Sequence, residues 1–228
     1  LWGPMAREIV KRGADAPDAF DAESCPFGRF RDVSVAGVPV RAFRISYVGE
    51  QGWELHFKTE DGPALWDVLR ALEVTPVGIE TYANSRRLEK SLRLQNADLL
   101  TEYNLVEAGL ARPKVKDADF FGKAAYLEQR ARTSQPAYLC TMTLDENSDR
   151  NGIARYPVGH WPILAPETGE VLVDEAGRRS YTTSIAFGPS VGANIAMGYL
   201  PADRCVEGGK VAMEHFGETF PMTVRAVG

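Results

Sequence analysis

From Ala137 to its end the chain offers no helical window, only short apolar segments closed off by turn signals. These are "AYLCTMTL", "EVLVDEAG", "SYTTSIAFG", "ANIAMGYL", "KVAMEHFG" and "TFPMTVRAV". Short strands at this spacing suggest a small β-barrel or sandwich. Gly217 before Glu218 in "HFGETF" marks a hairpin turn. The change of texture puts a boundary near "RTSQPA", giving an α+β unit over residues 1–132 and an all-β unit over 133–228.

Ahead of that boundary helices and strands interleave. "LWGPMAREIVKRG" has Pro4 for a first turn, Gly13 for a C-cap, and Leu1, Met5, Ile9 and Val10 on one face. It does not read as a signal or transit peptide; it reads as a domain already under way, and we expect a missing upstream part. Residues 14–28 are an irregular connection, and "RDVSVAGVPVRAFRISYVG" a hairpin about Ala36-Gly37. "WELHF" alternates with period two, as a half-buried strand does. "DGPALWDVLRALE" predicts a helix over 61–73 with Leu65, Trp66, Val68, Leu69 and Leu72 as its core stripe. A second helix is expected near 79–91, and a third from Asp119, which can cap its first turn.

Several chemistries fall away. A formal net charge of −5 argues against nucleic acid, whose phosphates call for an excess of Lys and Arg. No apolar run approaches the roughly 20 residues that span a bilayer. Cys25, Cys140 and Cys205 lie far apart without a C-x-x-C, which reads as reduced thiols in a cytoplasmic setting. His56, His160 and His215 have no metal-ligand spacing, so no metal site is expected. Nucleophile-elbow and phosphate-loop patterns are absent, and "FGPSVG" reads as a turn.

What remains is "RISYVGEQGWELHF", residues 44–57, where Glu50 stands at a Gly-flanked turn with Tyr47 and Trp53 on either side. One alternative is two core aromatics and a solvent-facing acid. The other is a carboxylate accepting two parallel N–H donors from a flat heterocycle while rings pack on its faces. An amino-pyrimidinone edge fits, and both a pterin and a guanine present one.

"YVGEQGWEL" resembles the Y-T-G-E-x-G-(F/Y)-E-(I/L) signature of folate-dependent aminomethyltransferases, which include the glycine-cleavage T-protein and the folate-binding regions of dimethylglycine and sarcosine dehydrogenases. "RRLEKSLRL" (86–94), "NLVEAGLARPKVKDADFFGKAAYLEQRAR" (104–132), "SYTTSIAFGPSVGANIAMGYLP" (180–201) and "GGKVAMEHFGETFPMTV" resemble further family segments in the family's order. "LWGPMAREIV" resembles its GP-x-A helix. Lys90 and the "EAGLA" form look closer to the dimethylglycine/sarcosine dehydrogenase branch. Ala83 stands where the T-protein pattern has Arg, Ser91 where it has Gly, and Val48 where it has Thr.

The resemblance implies an α+β folate-binding domain followed by a small C-terminal β-barrel, with tetrahydrofolate as cofactor. It implies one-carbon transfer from a small N-methylated amine or glycine-derived donor. It places Glu50 at the pterin edge, Tyr47 and Trp53 as pocket walls, Arg87 as a contact or a scaffold cation, and Glu107 as a loop brace or site residue. The family's catalytic aspartate lies upstream of the GP-x-A helix, so it is expected before Leu1, in an upstream domain or chain that completes the site. The alternative is a non-catalytic folate-binding or scaffold homologue.

Overall fold

The computed structural model describes residues 1–228, which divide into two compact units, Leu1–Ala83 and Asn84–Gly228. The first contains helices α1 (Ala6–Gly13) and α2 (Gly62–Ala71) and an antiparallel sheet of β1 (Phe30–Val35), β2 (Val38–Phe43) and β3 (Glu54–His56), in the order β1-β2-β3. Val35 pairs with Val38, so the β1–β2 connection is the two residues Ala36 and Gly37. Both have positive φ (48° and 77°), as a turn that follows the twist of its strands requires. Alternation along β2 sends Val38, Val40 and Ala42 into a core shared with Ala6, Val10, Phe20 and Leu65. Burying side chains of the Val, Leu or Phe type stabilises by roughly 1.5–3 kcal/mol each.

The stripe of α2 is narrower than its composition suggests. Leu65 is buried and Val68 and Leu69 pack beside it, but Trp66 is 56% exposed. One residue along a helix is a rotation of about 100°, which carries position 66 off the face that 65, 68 and 69 share.

The expected second helix is present over residues 79–88, but its middle, Thr81–Arg86, is wound as a π-helix between short α-helical ends at 79–80 and 87–88. It cannot continue to 91, because the Leu92 N–H folds back to the Arg87 carbonyl and Ser91 takes φ 53°. The third, α3 (Lys123–Ala131), begins four residues later than Asp119 would place it. Its N-cap is Gly122 at φ 83°, with no side-chain cap.

Six strands make up the sheet of the second unit: β4 (Ala137–Leu144), β5 (Ile163–Leu164), β6 (Thr182–Gly188), β7 (Ala193–Pro201), β8 (Lys210–His215) and β9 (Glu218–Val227). Their order is β5-β8-β9-β4-β7-β6, with every neighbouring pair antiparallel. Irregularities at Thr141/Met142 and Thr182/Ser184 bend the sheet. Its two edges then meet: Pro162 bridges Tyr181, Ile163 N–H donates to Ser180 O (3.0 Å), and Thr182 N–H donates to Trp161 O (2.8 Å). A sheet whose edges pair in this way is a curled barrel, and Met142, Ile163, Leu200, Met213 and Met222 fill it. The turn between β8 and β9 is Phe216-Gly217, both at positive φ, as the hairpin signal implied.

Residues 84–132 pack with this second unit. The Tyr103 ring lies flat on Tyr199 of β7, with centroids 3.5 Å apart and planes 2° from parallel. The Leu139 N–H of β4 donates to Glu107 O at 2.8 Å. Composition registers the change from helix to strand; packing follows these contacts. No helix is long and apolar enough to cross a membrane.

Candidate functional site

After β2 the chain bends through residues 47–51 and returns as β3. Two glycines make the bend feasible. Gly49 takes φ 69°, which only glycine adopts at little cost. At Gly52 a Cβ would lie 2.0 Å from Leu1 O and 2.8 Å from Trp2 Cα, because residues 1–3 run alongside, with Trp2 bridging Gly52. Gly3 N–H donates to Gln51 O (2.8 Å) and Trp53 N–H to Leu1 O (2.9 Å), so the bend is pinned from outside the hairpin.

Glu50 and Tyr47 lie on this bend, each half-buried. Tyr47 packs against Tyr82 at 5.4 Å and 54°, and Tyr82 stacks on Trp2 at 5.1 Å and 28°. Trp2 Nε1 donates to Ile45 O at 3.1 Å, fixing the indole beside the hairpin. Tyr47, Tyr82 and Trp2 thus form a partly accessible aromatic surface within the unit that carries Glu50. Burial and then the nearby Glu54 carboxylate hold the Tyr82 phenol above its ordinary pKa, so it stays protonated and able to donate. Trp2 and Tyr82 escaped the sequence reading because neither sits in the hairpin motif.

Trp53 departs from its expected role as a wall. It has no exposed surface and sits in the core, edge-on to Phe20 at 5.3 Å, with the Arg44 guanidinium 4.7 Å from its ring centroid. A ring with no free face supports the hairpin from beneath and offers nothing for a ligand to stack on. Its position follows from the period of β3: Trp53 and Leu55 point inward with the apolar face.

Arg87, in the other unit, is fully buried. Its guanidinium is ion-paired with Asp98, donates to Ser184 Oγ at 2.5 Å and Leu92 O at 3.0 Å, and lies 3.6 Å from Met197 Sδ. Asp98 also accepts from Leu94 N–H (2.9 Å), Ser184 Oγ (2.8 Å) and Thr183 Oγ1. This burial and pairing are what the scaffold role, of its two expected roles, calls for. Glu107 is the corresponding brace. Its buried carboxylate pairs with Arg178, which also pairs with Asp174 (2.7 Å) and lies 4.3 Å from the Tyr103 ring centroid. A cleft of about 900 Å³ opens beside this cluster, with Tyr103, Phe120, Tyr126, Arg112, Lys114 and Lys116 among its lining.

Ser91, at the position where the resemblance led us to expect glycine, adopts a backbone conformation that suits glycine. At φ 53° the residue is in the left-handed region, which costs a non-glycine of order 1 kcal/mol or more. Thr141 Oγ1 donates to Ser91 Oγ at 2.9 Å.

Residues 1–116 match the GCVT N-terminal domain, and residues 159–227 match the glycine cleavage T-protein C-terminal barrel domain. The chain belongs to the glycine-cleavage T-protein family. It is 29% identical over 227 residues to the mitochondrial dimethylglycine dehydrogenase of Homo sapiens, covering 97% of this chain and 24% of that protein. It is 32% identical over 232 residues to an aminomethyltransferase of Prochlorococcus marinus, covering 98% and 56%. The solved structure of the glycine cleavage system aminomethyltransferase T from Bartonella henselae shares the fold: TM-score 0.77, 23% identity, 98% of this chain and 56% of that one. The chain thus spans between about a quarter and just over half of the relatives it matches.

Proposed function

We propose that this chain is part of a tetrahydrofolate-dependent aminomethyltransferase, moving a one-carbon unit from a small N-methylated amine or a glycine-derived donor to the folate. The observation that carries the proposal is Glu50: a half-buried carboxylate on a bend held by Gly49 and Gly52, in the unit that also presents Tyr47, Tyr82 and Trp2. Family membership and its likeness to proteins named aminomethyltransferase support it.

The residues suit the group. Two carboxylate oxygens can accept the two parallel N–H donors of the pterin's amino-pyrimidinone edge, a charge-assisted pair that leaves neither partner unsatisfied. Aromatic faces provide area for a flat heterocycle and keep water from it. Tetrahydrofolate, when bound, supplies the amine that takes up the one-carbon unit. The contribution of residues 1–228 is to bind and orient: Glu50 fixes the in-plane angle of the ring, Tyr47 and Tyr82 its tilt, and Trp53 the hairpin beneath. Holding two reactants in register is a large part of the rate advantage in such a transfer. Proton handling is assigned to none of these residues.

Titrating tetrahydrofolate anaerobically into the protein, by calorimetry and by Trp2 fluorescence, tests this. Glu50→Gln keeps the shape and removes the charge, so affinity should fall about ten- to a hundredfold, as for a hydrogen bond to a charged group. Unchanged affinity would remove Glu50 from the site. A second reading, a folate-binding scaffold without transferase activity, draws on Ala83, which stands where the T-protein pattern has Arg. Turnover of an N-methyl amine in the presence of tetrahydrofolate would dismiss it.

A further inference from the structure

The sequence separates Cys140 and Cys205 by 65 positions, but the fold brings their sulfur atoms to 3.6 Å. Cys140 is in the middle of β4 with its side chain wholly inside the barrel; Cys205 follows the single 3₁₀ turn Ala202–Arg204 after β7 and is partly exposed. We propose that Cys140 and Cys205 are an oxidisable dithiol, which a hydroperoxide converts to a disulfide joining β4 to the segment that leaves β7.

Three features of the site carry this. The sulfurs are already in van der Waals contact, and reaching the disulfide length of about 2.05 Å takes an approach of about 1.5 Å. Cys205 can supply that movement, since it lies outside the sheet ladder, tied by its N–H to Ala202 O at 3.3 Å. Access is one-sided as well: a small oxidant meets Cys205 first, because Cys140 is sealed in the core. The S–H of Cys140 points at the Cys205 sulfur, and this contact, ahead of burial, lowers the Cys205 pKa and raises that of Cys140. Of the two, ionisation is favoured at partly exposed Cys205 and disfavoured at buried Cys140. That is the usual division between an attacking and a resolving thiol.

The chemistry closes without further reagents. The Cys205 sulfur attacks one oxygen of the peroxide, the O–O bond breaks, and a sulfenic acid and one water form. Cys140 sulfur then attacks the sulfenic sulfur; the S–O bond breaks, the S–S bond forms, and the thiol proton leaves with the hydroxyl as a second water. Two thiols lose two electrons and the peroxide gains them. Cys25 is an internal control: it is buried in the other unit, where its sulfur lies 3.9 Å from Arg29 O.

The folded protein would be exposed to hydrogen peroxide, unfolded under acid, alkylated and measured by intact mass and peptide mapping. The expected product has lost two hydrogens, carries one alkylated cysteine (Cys25), and yields a cross-linked peptide pair holding Cys140 and Cys205. Cys140→Ser removes the resolving thiol, so Cys205 should accumulate as a sulfenic acid that dimedone traps; in Cys205→Ser, Cys140 should stay reduced. The proposal is overturned if native protein ends with Cys205 over-oxidised and Cys140 still alkylatable, or with all three thiols intact. Loss of Glu50 function in a separate variant would not move these outcomes.

Discussion

Replacing Asp98 by Ala is the most demanding test of how the second unit is held together. The change deletes a carboxylate that neutralises a fully buried guanidinium and accepts from Arg87, Leu94 N–H, Thr183 and Ser184. Arg87 keeps Ser184 Oγ and Leu92 O among its partners but loses the carboxylate it is ion-paired with. Stranding one member of a buried pair typically costs about 3–5 kcal/mol. With a urea m-value of about 2 kcal/mol/M, that is a drop of roughly 1.5–2.5 M in midpoint. Urea unfolding should be followed by near-UV circular dichroism, where the stacked Tyr103 and Tyr199 report on this unit. The double change Arg87→Met with Asp98→Leu should lie closer to the parent than Asp98→Ala does, since removing both charges removes the stranded one. Asp32→Ala, in the exposed Arg41–Asp32 pair, should leave the midpoint in place. A midpoint for Asp98→Ala within about 0.5 M of the parent, or about 1 kcal/mol, would refute the reasoning.

Gly198 of β7 leaves no room for a side chain, since a Cβ there would lie 2.6 Å from Tyr181 O and 2.8 Å from Ile163 Cδ1; Gly198→Ala should destabilise by about 1–3 kcal/mol in thermal unfolding. Asp149 is held below its ordinary pKa of 3.8, first by the Ile153 N–H and further by the Asn151 N–H and Arg155. A depressed carboxylate contributes stability that is complete above the ordinary value and lost as pH falls through the lower native one. Asp149→Asn should therefore flatten the acid limb of a stability-against-pH series below about pH 4 while lowering stability near neutrality.

Where local rules sufficed, the sequence was legible. Ala36-Gly37 gave away its hairpin because a two-residue turn demands two left-handed residues. Short apolar runs closed off by turn signals, "KVAMEHFG" among them, marked the strands, although only the meeting of β5 and β6 distinguishes a barrel from a sandwich. What was illegible depended on partners distant in sequence. Asp98 lies in "LQNADLL", which has no motif, and its importance comes entirely from Arg87, Thr183 and Ser184 converging on it. Trp53 matched a signature, yet the signature was silent on the Phe20 ring that packs edge-on against it and closes it into the core. Tyr82 looked like part of an ordinary helix; the π-helical turn that carries it has no composition of its own.

The way the barrel closes bears on how it fails. Most strand pairs run for five residues or more, but the closing join rests on the Pro162–Tyr181 bridge and a few flanking backbone bonds beside the two-residue β5. A cylinder stitched so lightly along one line has a preferred tear. Amides of Ile163 and Thr182 should exchange with solvent sooner than those of β4 or β7, and each opening bares the backbone of β6, a ready template for another chain. In a crowded solution that slit, rather than global unfolding, would be where aggregation begins.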